Sequence, residues 1–280
     1  MGQDGGTLML AVPKLNYFSY LLDNASWRWS DGSTIPHLLL QHIGYTLVTL
    51  AISAAVALPI GLLIGHTNRG AFLAINLGNA GRSLPTFGLL TLMVTLVGIG
   101  TTPVLIALVV LAVPPILAST YAGIRSVDPA AVDAAVGMGM RPIQVLFRAE
   151  VPMALPLIVS GLRSSLLQVT ATATVAAYVG LGGLGRLLID GLARNQYELV
   201  FAGAVLVALL AIALDLAGAG VERALVSPGV RAGRGGRRAR RLAARSNGTD
   251  PGTDPGTDPG DDPPPPDDER PLTPTAGTSR

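Results

Sequence analysis

The chain has 280 residues, of which 49% are hydrophobic and only 14% charged, with a formal net charge of +2. A soluble domain of this size has about 25% charged residues, so the composition excludes an ordinary water-soluble globule and requires lipid over part of the surface. The absence of cysteine excludes disulfides, thiolate metal sites and a cysteine nucleophile.

Residues 1–15 contain Asp4 and several glycines but no basic start leading into an apolar run. No cleavable signal peptide is expected there, and membrane insertion falls to the internal spans. A bilayer core takes roughly 20 apolar residues per helix, which divides the chain into about five spans. In chain order they cover residues 38–65, 71–97 with a break at 82–85, 103–124, 152–179 and 199–220. The expected fold class is all-α, a polytopic bundle of transmembrane helices.

Loop charges set the expected orientation. Arg69, the segment with Arg125, Arg141 and Arg148, and the arginine-dense stretch after the last span all fall on one side. The opposite side receives the basic-free residues 97–102, the segment with Arg186 and Arg194, and the N-terminal segment with Lys14 and Arg28. This bias places the N-terminus outside and the C-terminus in the cytoplasm.

Pro59, Pro85, Pro114, Pro115, Pro152 and Pro156 lie in or beside apolar stretches. Each removes a backbone donor and loosens the helix locally, and membrane helices tolerate this where neighbours or water satisfy the freed carbonyls. Pro85, beside Arg82 and Ser83, is the candidate flexing point.

Between the third and fourth spans runs Asp128-Pro129, then Ala130, Ala131, Asp133, Ala134, Ala135, Gly137, Gly139 and Arg141-Pro142. An aspartate acceptor followed by proline starts a helix, and the glycines end it about two turns later. Arg141-Pro142 starts a second segment, expected over residues 143–149. The first helix presents small side chains, so another backbone can approach it closely.

Here the sequence resembles a known family. Asp133-Ala134-Ala135, then Gly139, then Pro152 has the spacing of the EAA loop of ABC importer permeases, with aspartate where that family most often has glutamate. The resemblance implies the type-1 permease fold and a coupling helix, formed here by Asp133, Ala134, Ala135, Gly137, Gly139, Met140, Arg141, Pro142 and Pro152, that seats in a separate ATPase subunit. It covers residues 37–223. Stretches such as 115–124 (PILASTYAGI), Gly161-Leu-Arg163 and 171–185 (ATATVAAYVGLGGLG) narrow it to the osmoprotectant branch, whose cargo is glycine betaine, choline, carnitine or proline betaine. Ala118-Ser119 departs from it, since many relatives have a polar or basic pair there. The implied organisation is an extracytoplasmic segment over 1–36, a permease domain over 37–223 with its cytoplasmic coupling loop at 125–152, and a tail over 224–280.

That tail falls outside the family pattern. Arg231, Arg234, Arg237, Arg238, Arg240, Arg241 and Arg245 suit an anionic lipid surface better than nucleic acid, and the Thr-Asp-Pro-Gly repeats after them have almost nothing to bury and are expected to be disordered.

Ionisable residues inside spans default to functional readings. Arg82, at the break, and Arg163, a turn or two inside the fourth span, are candidate pathway residues with Pro85, Tyr121 and Tyr178. His42 and Asp215 are placed near span ends, where interfacial water would solvate them. Gly180-Leu-Gly-Gly-Leu-Gly185 matches G-x-G-x-x-G by letters, but a dinucleotide loop needs a preceding strand; close packing or an outer turn is expected instead. The three histidines lack metal-ligand spacing on a helix face, and no Walker loop is present, so neither metal nor cofactor nor intrinsic ATP hydrolysis is expected.

By resemblance, the partners are cytoplasmic ABC ATPase subunits, an extracytoplasmic substrate-binding protein and a second permease subunit, in the bacterial inner membrane. Three other readings stay open at this level. The cargo could be another small solute such as methionine, the chain could be a secondary transporter that needs no ATPase, or it could be a membrane anchor for its basic tail.

Overall fold

The computed structural model describes residues 17–29, 32–180 and 182–225, and within them the side chains at 73, 77 and 80–82 are outside the described set. The arginine-rich and Asp-Pro-Gly segments and Lys14 lie outside the described residues. The described chain is helical, with no strand.

A short α1 (Ser19–Leu22) and a 3-10 turn (Asn24–Trp27) precede the long α2 (Ile35–Thr67). Thr34 precedes α2 in extended conformation, proline follows in its first turn, and Asn68 closes it in the left-handed region at φ 54°, which asparagine tolerates. At 33 residues α2 is about 50 Å long, more than a bilayer core. Four helical segments are long and apolar enough to cross: Ile35–Thr67, Thr101–Arg125, Pro142–Thr172 and Tyr197–Leu225.

The remaining expected span is two helices, α3 (Ala71–Ser83) and α4 (Thr86–Val97). Pro85 sits between them with φ −69° and ψ 111°. It has no N–H to continue the ladder, and it forces the preceding residue away from helical geometry. With 13 and 12 residues, neither half alone reaches across about 30 Å of hydrocarbon.

The central helix is α5 (Thr101–Arg125), packed against α2, α3, α4 and α8 (Val151–Thr172). Lipid tails are as apolar as leucine, so helices in a membrane associate through close van der Waals contact at small residues. On α2 the pair Gly61 and Gly65 meets Thr120 and Ile124 of α5, and on α3 Gly78 meets Ala118. On α8, Gly161 lies directly over Ser119 of α5: a Cβ there would stand 2.3 Å from the serine Cβ. The opposite side of α2, with Leu40, Leu47, Ile52, Val56 and Leu63, is exposed and apolar, as a lipid-facing surface must be.

Between α5 and α8 come α6 (Pro129–Gly137), α7 (Pro142–Val145) and a π-turn (Leu146–Glu150). After α8, a 3-10 turn (Val175–Val179), α9 (Gly185–Ala193) and α10 (Tyr197–Leu225) complete the described chain. The fourth span thus ends as an α-helix at Thr172, before the expected 179.

Candidate functional site

The segment from Asp128 to Glu150 is built by local rules. The Asp128 side chain accepts from the Ala130 N–H at 3.0 Å, and Pro129 opens α6. At the other end the Met140 N–H donates to the Ala135 carbonyl at 3.2 Å, and the Gly139 N–H to the Val136 carbonyl at 2.9 Å. These crossed bonds require a left-handed residue, supplied by Gly139 at φ +80°. Gly137 is the last helical residue and Gly139 makes the turn. The Arg141 N–H then donates to the Gln144 side chain at 2.8 Å, and Pro142 opens α7.

The expected second segment does not stop at Ala149. It runs through the π-turn into α8, because Pro152 has no N–H to offer the carbonyl four residues earlier. The Val151 N–H reaches back to the Leu146 carbonyl, and the widened turn absorbs the mismatch.

Asp133, Ala134, Gly139, Arg141, Pro142 and Pro152 are exposed, while Ala135 is buried. Around them lie exposed apolar side chains: Val136, Met138 at 71% exposure, Ile143, and Phe147. Val136 and Met138 lie on the connection between two membrane spans, and Ile143 and Phe147 in the first turns of the segment Pro142–Thr172 that follows it. A cluster of this kind, rimmed by charge, marks a contact with protein or membrane.

Behind the patch, His66 Nδ1 lies 2.8 Å from Glu150 Oε2. Glu150 is only 6% exposed, so the pair ties the end of α2 to the end of the π-turn in a partly dry setting. Sequence reasoning missed it. The one available signal was an acid immediately before Val151-Pro152 at the start of an apolar run.

A cavity of about 340 Å³ opens between α3, α5 and α8. Ala74, Gly78 and Asn79 come from α3, Pro115, Ala118, Ser119 and Tyr121 from α5, and Ser164 and Gln168 from α8. These positions fall on successive turns of α5 (115, 118–119 and 121–122) and of α8 (164 and 168), so each helix presents one face. Of the sequence-level pathway candidates, Tyr121 lines this space. The backbone of Arg82 is on the last turn of α3 and its side chain is outside the described set. Pro85 is the hinge before α4. Tyr178 is exposed and meets Phe87 edge-on at 5.2 Å.

Arg163 points elsewhere. Its Nε and Nη2 grip the two Asp215 oxygens at 2.5 and 2.6 Å, and Nη1 lies 3.4 Å from Glu222. Asp215 is therefore engaged by a cation from α8, in place of the interfacial solvation expected for it. A two-pronged guanidinium–carboxylate bond neutralises both groups in an apolar setting. Arg163→Leu or Asp215→Leu alone is expected to lower the folded, inserted yield roughly fivefold or more, and the double substitution to recover most of it. Fluorescence-detected gel filtration of the four forms checks this.

His42 is also corrected. It is 1% exposed, and its Nε2 donates to the Thr170 carbonyl at 3.0 Å, so protein packs around it where interfacial water was expected. Nearby, the Gly183 N–H donates to Gln41 Oε1 at 3.0 Å. Gly185 lies where a Cβ would stand 2.1 Å from the Thr174 carbonyl oxygen. The glycine-rich loop follows a 3-10 turn, which is the close-packing alternative to a nucleotide loop.

Comparison with known proteins gives this arrangement a family. The family described as "Binding-protein-dependent transport system inner membrane component" matches residues 57–227. The chain belongs to this family.

The permease is 34% identical over 201 residues to the choline transport system permease protein OpuBB of Bacillus subtilis, covering 72% of this chain and 93% of the relative. It is 33% identical to the carnitine transport permease protein OpuCB of Listeria monocytogenes, covering 70% and 90%. It is 31% identical to the osmoprotectant import permease protein OsmW of Salmonella typhimurium, covering 70% and 90%. Among solved structures, the permease fold matches an inward-facing MetNI methionine ABC transporter with a TM-score of 0.62 at 22% identity, over 69% of this chain and 96% of that one. The permease is a multi-pass membrane protein with the fold of type-1 ABC importer permeases.

Proposed function

We propose that the permease forms the membrane pathway of an ATP-driven importer for an osmoprotectant such as glycine betaine, choline or carnitine. The observation that carries the coupling part is the exposed apolar patch of Val136 and Met138 on the inter-span connection with Ile143 and Phe147 in the first turns after it. A separate cytoplasmic ABC ATPase would cover it, with Asp133, Ala134, Gly137, Gly139, Met140, Arg141 and Pro142 at the contact. The choline, carnitine and osmoprotectant permeases among the relatives support the substrate class.

In this reading an extracytoplasmic binding protein delivers solute to the outer loops, and a second permease subunit completes the pathway. The N-terminus is outside and the C-terminus cytoplasmic, on the bias of basic residues in the loops. Closure of the ATPase rocks the helices between outward and inward states. Tyr121 lies on the path, and the Pro85 break, with Arg82 beside it, lets α4 move relative to α3.

The test is copurification from mild detergent of wild type beside a Gly139→Glu variant. A glutamate at φ +80° strains the left-handed turn by about 1–2 kcal/mol and adds charge to the contact, while open space around the position spares the packing. The ATPase is expected with wild type and reduced at least roughly tenfold with the variant, at equal membrane insertion. Well-folded wild type that retains no ATPase overturns the reading.

A further inference from the structure

We propose that residues 17–29, ahead of the first membrane span, form an interfacial lipid anchor, with Trp27 and Trp29 seated at the headgroup level where α2 and α10 begin. The segment lies outside the stretch matched by the family, residues 57–227, and the anchor is independent of the importer reading.

Composition singles the segment out. Both tryptophans of the chain, two of its six tyrosines and one of its five phenylalanines fall within it. Its only charged side chains are Asp23 and Arg28, which cancel.

The structure gives it one packed side. Tyr20 and Leu21 rest on the core that joins Ile35 and Leu38 of α2 to Leu206 and Leu210 of α10. Tyr17 and Phe18 set their rings against Phe201 of α10, with centroids 5.6 and 5.3 Å away. Away from these contacts, Leu22 and Trp29 are 76% and 74% exposed, and Phe18 and Trp27 about half. The exposed rings stand on an ordered turn. The Asp23 side chain accepts from the Ala25 N–H at 3.0 Å, and Trp27 Nε1 donates to the Leu21 carbonyl at 2.9 Å. With its N–H satisfied by the protein, the Trp27 ring enters apolar surroundings at little polar cost.

Those contacts also fix the level. Ile35 and Leu38 are in the opening residues of α2, and Phe201 is in the second turn of α10. The two helices have 33 and 29 residues, which makes them about 50 and 44 Å long, against a hydrocarbon core of roughly 30 Å. Their first turns therefore have length to spare at the bilayer edge. Exposed apolar side chains continue from that level, at Leu40 on α2 and Tyr197 on α10. Water would leave this aromatic surface unburied. The lipid interface suits it, since it accepts an uncharged face of amphipathic rings. Lipid also surrounds the bundle at that level, so no further partner is needed to cover the surface.

The test uses the full-length permease, purified without partner subunits and placed in phosphatidylcholine vesicles. Because the chain has two tryptophans, its indole emission reports on this segment alone. Lipids brominated high on the acyl chains, close to the headgroup, are expected to quench the emission at least roughly twofold, and more than lipids brominated near the chain ends. Iodide on both sides of the vesicle is expected to quench it clearly less than it quenches free tryptophan. Trp27→Phe and Trp29→Phe, each leaving one indole, should both keep this pattern. Wild type carries the test if a variant fails to insert.

Emission quenched by iodide as readily as free tryptophan, and by neither lipid, places the segment in water and overturns the proposal. Strongest quenching by the chain-end bromines overturns it by placing the indoles in the bilayer middle. Emission that neither lipid nor iodide reaches overturns it by showing that protein, a second copy of the chain included, covers the surface. Headgroup-level quenching confined to one of the two indoles overturns the shared anchor.

Discussion

Gly161→Leu is expected to be the most damaging substitution in the membrane domain. Even a single added carbon would stand 2.3 Å from the Ser119 Cβ and 2.7 Å from its Oγ, closer than real side chains approach. Leucine adds three more carbons, and the α5–α8 crossing must open to admit them. Overpacking of this kind costs typically 1–3 kcal/mol and more where helix backbones are displaced, so a loss of at least about 3 kcal/mol is expected. For a protein of this size that is roughly a 6–12 °C fall in melting temperature. Thermal unfolding in detergent measures it. The milder Gly161→Ala should be largely rescued by Ser119→Gly, which removes the opposing Cβ. Failure of that rescue would show that the crossing is not the limiting contact.

His66→Ala is the second large effect. It leaves the Glu150 carboxylate, 6% exposed, without the imidazole 2.8 Å away. Removing the partner of a poorly hydrated polar group costs about 1–3 kcal/mol. Combining His66→Ala with Glu150→Gln should regain part of the loss, since a neutral amide is cheaper to bury than a carboxylate. The pair also joins the end of α2 to the segment that bears the exposed apolar patch. His66→Ala is therefore expected to weaken ATPase retention along with melting temperature, although His66 lies outside the patch. Normal retention in a form with a lowered melting temperature would limit the pair to a structural role.

Elements governed by local chemistry were legible along the chain. Asp128-Pro129 and Gly139 bound α6 because a cap acceptor, a proline at the first helical position and a left-handed glycine act within one turn of themselves. Pro85 broke the second span for the same kind of reason. The number and approximate extent of apolar stretches followed from hydropathy, since the bilayer sets the length of helix that must be apolar. The π-turn was not legible, because it depends on how one helix reconciles Pro152 with its continuation from α7.

The partnerships were decided by the tertiary structure alone. His66 meets Glu150 across 84 residues, Arg163 meets Asp215 across 52, and His42 meets the Thr170 carbonyl across 128. The physical reason lies in the solvent. In water an amphipathic stripe tells which side of a helix is buried. In a membrane lipid and protein core are equally apolar, so hydropathy marks α2, α5, α8 and α10 as spans without marking the faces that meet. What distinguishes those faces is size: Gly61, Gly65, Gly78 and Gly161 allow contact at backbone distance. In a chain with 34 glycines, only the assembled helices show which of them are used. The sequence by itself determined a multi-span helical protein with a capped segment between two of its spans. The tertiary structure decided which polar groups neutralise one another and which helix faces meet.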